Sequence, residues 1–138
     1  MLLAAIQSAE LNTSGEIRLH IDRELNENMT VYERAQEVFI QLNMHQTAQR
    51  NGVLIYMAIQ AKQFAIIGDA GIHEVVGNEF WDSIKTQLSM SFKKGNFTEG
   101  LVNAIQQTGE KLKQFFPFQS DDKNELSDEI SLGEDMHE

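Results

Sequence analysis

One stretch constrains this chain more than any other: Val53-Leu54-Ile55-Tyr56-Met57-Ala58-Ile59, an unbroken apolar run behind Gly52. A strand with one wet face alternates apolar and polar residues, whereas a continuous run belongs to a strand covered on both faces. Other elements must then close both faces. The chain has 138 residues, room for a single hydrophobic core. A small sheet with helices packed on either side satisfies both conditions.

The remaining elements group around that strand. Ile17, Leu19 and Ile21 alternate with Arg18, His20 and Asp22, a period of two that predicts a first strand. Just before them, Thr13-Ser14-Gly15-Glu16 reads in isolation as a helix-starting capping box, but the repeated alternation outweighs a four-residue pattern. Leu2, Leu3, Ile6 and Ala9 predict a helix ahead of the strand. A stronger capping box, Thr30-Val31-Tyr32-Glu33, opens a second helix with Val31, Ala35, Val38, Phe39 and Leu42 at helical spacing. Phe64 to Ile67 is a third strand, joined to the central one by the short connection Gln60 to Gln63, hence a hairpin.

Beyond Gly68-Asp69-Ala70-Gly71 comes a short helical piece, Ile72 to Val76, ending at Gly77. Phe80, Ile84, Leu88 and Phe92 then step by four along a longer helix, which Lys93, Lys94 and Gly95 close. Asn96, with Glu99 three positions on, is expected to cap a last helix striped by Phe97, Leu101, Ile105, Leu112 and Phe115. The order is therefore α-β-α-β-β-α-α: one α/β domain over residues 1–118, a small mixed β-sheet sandwiched by helices. Residues 119–138 are polar and charged and are expected to form a disordered acidic tail.

Charge and composition exclude several functions. The formal net charge is −10, and the tail, with eight acidic residues against one lysine, supplies most of it. Such a chain is no nucleic-acid binder, which calls for clustered Lys and Arg. With no cysteine, disulfides, thiolate catalysis and thiolate metal sites are ruled out. No run approaches the roughly 18 apolar residues of a membrane span. Met1 to Ile6 is apolar but lacks the basic start of a secretory signal, so a cytoplasmic protein is expected. His73-Glu74 has no second histidine at zincin spacing, and neither a P-loop nor a G-x-S-x-G motif occurs.

Topology adds an address. A helical crossover makes the first two strands parallel, and the hairpin makes the third antiparallel to both. The starts of strands one and two and the finish of strand three therefore share one end of the sheet. That end gathers Thr13-Ser14-Gly15-Glu16, Arg50-Asn51-Gly52 and Gly68-Asp69-Ala70-Gly71. The carboxylates of Glu16 and Asp69, the Asn51 amide and the Thr13 and Ser14 hydroxyls are oxygen donors, the chemistry of a hard cation such as Ca²⁺ or Mg²⁺. Turns are rich in these residue types on conformational grounds alone, which is the competing explanation. His73, near Asp69, is a candidate acid or base for a metal-bound water, against the commoner reading of a solvated residue in a first helical turn. Trp81 with Phe80, and Tyr56, read as core aromatics.

Thr13-Ser14-Gly15-Glu16-Ile17, Asn51-Gly52-Val53-Leu54-Ile55, Gly68-Asp69-Ala70-Gly71-Ile72 and Lys94-Gly95-Asn96-Phe97-Thr98-Glu99-Gly100-Leu101 together resemble the TPM-domain family. That family is named after a thylakoid acid phosphatase, a photosystem II repair protein and a receptor-associated membrane protein. The resemblance spans Ile6 to Leu112. It implies an α/β sandwich and a divalent-metal site, most often for calcium, at the gathered loops. Glu16 and Asp69 lead the expected ligands, with Asn51 and the backbones of Gly68 and Gly71 in support. Some family members hydrolyse phosphoesters. With no visible leader or membrane helix, this chain looks like a stand-alone bacterial member. Two functions follow: a calcium- or magnesium-binding interaction or regulatory module, with another protein as partner, or alternatively a metal-assisted acid phosphatase. Whether the chain is an enzyme stays open at this point.

Overall fold

A computed structural model describes residues 2–11, 13–117 and 130–133. Its elements are α1 (Leu2–Glu10), β1 (Glu16–Asp22), α2 (Val31–Gln41), a single 3-10 turn at Met44–Gln46, β2 (Gly52–Ala58), β3 (Gln63–Gly68), α3 (Ala70–Lys93), α4 (Phe97–Phe115) and β4 (Ser131–Leu132). The sheet runs β3-β2-β1-β4, with β1 and β2 parallel and β3 antiparallel to β2. It is the α/β sandwich anticipated from the apolar runs.

The central run explains the layering. Every residue of β2 is buried. Val53, Ile55 and Met57 join Ile6 of α1, Ile84 and Leu88 of α3, and Leu101, Ile105 and Leu112 of α4 in one core. Leu54, Tyr56 and Ala58 join Ala35, Val38 and Phe39 of α2 in another. Each fully buried Leu or Ile contributes roughly 1.5–3 kcal/mol, so the two cores clamp β2 from both sides.

The helix ends follow local chemistry. Thr30 Oγ1 accepts from Glu33 N at 3.1 Å and the Glu33 carboxylate accepts from Thr30 N at 2.9 Å, a complete capping box for α2. α3 is two helical pieces joined at Gly77, whose φ of 73° and ψ of 177° interrupt it where the glycine was expected to. The Asn96 cap is a correction: Asn96 makes no side-chain bond at the start of α4, so the Asn-x-x-Glu pattern was fortuitous. Phe97 and Phe115, at the ends of the expected stripe, are partly out in solvent, and α4 buries Leu101, Ala104, Ile105 and Leu112.

The tail also needs correcting. Ser131 and Leu132 pair in parallel with His20 and Ile21, and Gly133 N donates to Ile21 O at 2.8 Å. Disorder therefore does not hold at residues 130–133, which return to the outer edge of β1. An unpaired strand edge attracts any backbone that reaches it, whatever that segment's composition. The rest of the expected tail lies outside the described residues. Among the described residues, no helix is long and apolar enough to cross a membrane.

Candidate functional site

The sheet brings together the loops that topology predicted. Glu16 stands opposite Gly52 in the β1–β2 register, and Asp69 N donates to Gly52 O at 2.9 Å. Glu16 of β1, Gly52 of β2 and Asp69, which follows β3, thus lie side by side at this end of the sheet. Both acids are buried, Glu16 at 4% and Asp69 at 6% exposure. Between them stands a residue with no side chain.

Asp69 is already engaged. It is the N-cap of α3, its Oδ1 accepting from Ala70 N at 2.8 Å. Arg50 donates to it through both forks, Nε to Oδ2 at 2.6 Å and Nη2 to Oδ1 at 2.7 Å, the bidentate geometry that strengthens such pairs. The hydrogen bond and charge of Asp69 raise the Arg50 pKa above its ordinary value. Arg50 itself sits in the left-handed region, with φ of 52°. Its carbonyl accepts from Gly71 N at 2.8 Å and Ile72 N at 3.3 Å. A Cβ on Gly71 would lie 2.1 Å from Gln49 O, so only glycine lets the loop before β2 lie against the first turn of α3. Gly68 has a different reason to be glycine: a Cβ there would meet Trp81 at 2.5 Å. Trp81 in turn donates from Nε1 to His73 Nδ1 at 3.1 Å. The structure thus joins His73 to the Trp81 indole through its side chain and to Asp69 through its backbone, His73 N donating to Asp69 O at 2.9 Å.

Asn51 is 1% exposed. Its Nδ2 donates to Ser14 Oγ at 3.3 Å and its backbone N to Thr47 Oγ1 at 3.3 Å. Its Oδ1 is buried with no hydrogen-bond partner among the described residues. A buried polar atom left unpaired costs about 1–3 kcal/mol. Thr13, by contrast, is committed to the fold: its one hydroxyl proton is shared between Leu112 O, at 2.9 Å, and Phe116 O, and the oxygen accepts from Gly15 N at 3.0 Å. Among the described residues no three His, Cys, Asp or Glu side chains converge on one point. What this end offers is two buried carboxylates, an amide oxygen and nearby hydroxyl and backbone oxygens, a donor set that suits a hard cation.

A second polar cluster, absent from the sequence expectations, sits toward the other end of β1. Asp22 accepts from Tyr56 OH at 2.5 Å, from Arg34 Nε at 2.8 Å and from His20 Nε2 at 3.2 Å. With Nε2 carrying the proton, His20 Nδ1 accepts from Ser131 Oγ at 2.7 Å. Burial lowers the His20 pKa, outweighing the attraction of Asp22. Burial pushes the Asp22 carboxyl up, but the hydrogen bonds from Arg34 and Tyr56, with the Arg34 and His20 charges, carry it below its ordinary value. Burial and then the bond to Asp22 raise the Tyr56 phenol. The cluster ties α2, β2 and β4 to β1. Only the shared face of His20 and Asp22 was readable from the alternation; their partners lie far off in the chain.

The family model for the TPM domain matches residues 1–111. The NMR structure of BA42 protein, from the psychrophilic bacterium Bizionia argentinensis, is similar at 45% identity, covers 96% of this chain and 90% of its own, and superposes with a TM-score of 0.86. No curated protein matches. The family match spans both halves of the gathered loops, and the similar structure shares the whole sandwich: the chain belongs to the TPM-domain family.

Proposed function

We propose that the end of the sheet around Gly52 binds a divalent cation, Ca²⁺ or Mg²⁺, and that the chain works as a cation-dependent interaction or regulatory module. The observation that carries this reading is the buried, partnerless oxygen of Asn51, which directly precedes Gly52, the residue flanked by Glu16 and Asp69. The holding groups are Glu16, Asp69 and Asn51, with the Gly68 and Gly71 backbones in reach of the same loops. A bound cation ties three loops from three elements, a stiffening that a partner surface can report.

Arg50 is the competitor for that role. Its guanidinium occupies both oxygens of Asp69, while its side chain is 51% exposed and free to swing outward. Removing it therefore favours the cation. In ¹⁵N-NMR titrations with millimolar CaCl₂ or MgCl₂, the amides of Gly15, Glu16, Asn51 and Asp69 shift, and Arg50→Gln shifts them at lower concentration. Amides unmoved in both proteins refute the reading.

Phosphoester hydrolysis has less support. Stabilising a phosphoryl transition state calls for cationic groups aimed at its oxygens, and the cation these loops supply, Arg50, is held by Asp69.

A further inference from the structure

β3 is the outer strand on the side of the sheet away from β4. Because Asp69 N points at Gly52 O, and backbone groups alternate along a strand, the N–H and C=O of Phe64, Ile66 and Gly68 face away from β2. No other described backbone group bonds to them. A groove of about 450 Å³ runs along this edge. Val31 and Tyr32 line it from α2, Lys85 and Ser89 from α3, and Lys62 and Phe64 from the hairpin. The two helices cover opposite faces of the sheet, so a groove touching both passes over the edge of β3.

We propose that this edge takes an extended, acidic segment of a partner polypeptide, added as a further strand beside β3. Main-chain bonds to Phe64 and Ile66 supply the generic part of the binding, as in other strand additions. Charge supplies the choice of partner: the chain carries a net −10, yet both charged residues lining this groove are lysines. Those lysines also disfavour a second copy, since pairing β3 with β3 brings two lysine-lined edges together. An acidic strand meets attraction at the positions where a second copy meets repulsion. Tyr32, 51% exposed at the rim, gives an apolar side chain of the added strand something to cover.

The probe is an end-blocked hexapeptide of alternating glutamate and valine, added to the full ¹⁵N-labelled chain, with the lysine–valine counterpart as control. The glutamate peptide is expected to shift the amides of Phe64, Ile66 and Gly68 and to slow their hydrogen exchange. The double variant Lys62→Glu, Lys85→Glu is expected to bind it at least about tenfold more weakly, a typical response to reversed interfacial charge. Three results each overturn the proposal: no shifts along β3, an equal response to the lysine peptide, or slow exchange of these amides in the free protein. Phe64 and Ile66 lie outside the cation loops, so shifts of these two amides, read apart from Gly68, let this proposal and the cation reading fail separately.

Discussion

Three side chains converge on Asp22, and each comes from a different element or position: His20 beside it, Arg34 from α2 and Tyr56 from β2. The phenol bond, at 2.5 Å to a buried carboxylate, is charge-assisted, and such bonds contribute about 1.5–3 kcal/mol. Tyr56→Phe keeps the ring in the core and deletes only the hydroxyl. It is expected to lower unfolding free energy by about that amount, read from urea denaturation, and an unchanged midpoint contradicts the assignment. At this scale the sequence was half legible. A satisfied core tyrosine is a sound reading of an aromatic in an apolar strand, but its partner lies 34 positions away, and no local pattern encodes that. The same holds for Arg50 and Asp69, 19 positions apart: the sequence placed both at one end of the sheet and could not say that they would bind each other.

At the scale of elements, the site depends on how closely the loop before β2 lies against the start of α3. Gly71→Ala puts a methyl 2.1 Å from Gln49 O and 2.7 Å from Arg50 O, and both neighbours are backbone, which yields poorly. The variant is expected to lose about 1–3 kcal/mol, the usual cost of overpacking, and to release the Arg50–Asp69 pair; its urea midpoint and the amide shifts of Arg50 and Asp69 are the readouts. The elements themselves were largely readable, because burial on one or two faces writes a period into the sequence. β1 carries such a period, β2 and β3 show the unbroken apolar runs of strands, and α2 opens on a capping box. β4 does not: a two-residue strand has no period, and it sits in a stretch whose composition reads as solvated. The Asn96 cap failed for the opposite reason, a pattern present without the bond.

The whole molecule inherits a pH dependence from the cluster on β1. His20 titrates in the folded chain below its ordinary 6.5, so between that folded value and 6.5 the unfolded chain holds a proton that the folded one lacks. Stability therefore rises with pH across this interval and its contribution is complete above 6.5. Asp22 titrates below its ordinary 3.8; its contribution is complete above 3.8 and is lost as pH falls through the folded value. Both groups weaken the fold on acidification. Unfolding free energies from urea melts are expected to fall in two stages, the first beginning near pH 6.5 and the second near 3.8, with His20→Gln removing the first. A first stage that persists in that variant assigns it elsewhere.

β4 has a kinetic consequence. β4 pairs only two residues with the edge of β1, which returns little against the entropy of ordering them. Docking of β4 is accordingly a late event in folding, and its release is among the cheapest openings of the native state. Each release admits water to the His20 imidazole and relaxes the desolvation that lowers its pKa. Proton uptake and the breathing of the last strand are thus one equilibrium seen from two sides.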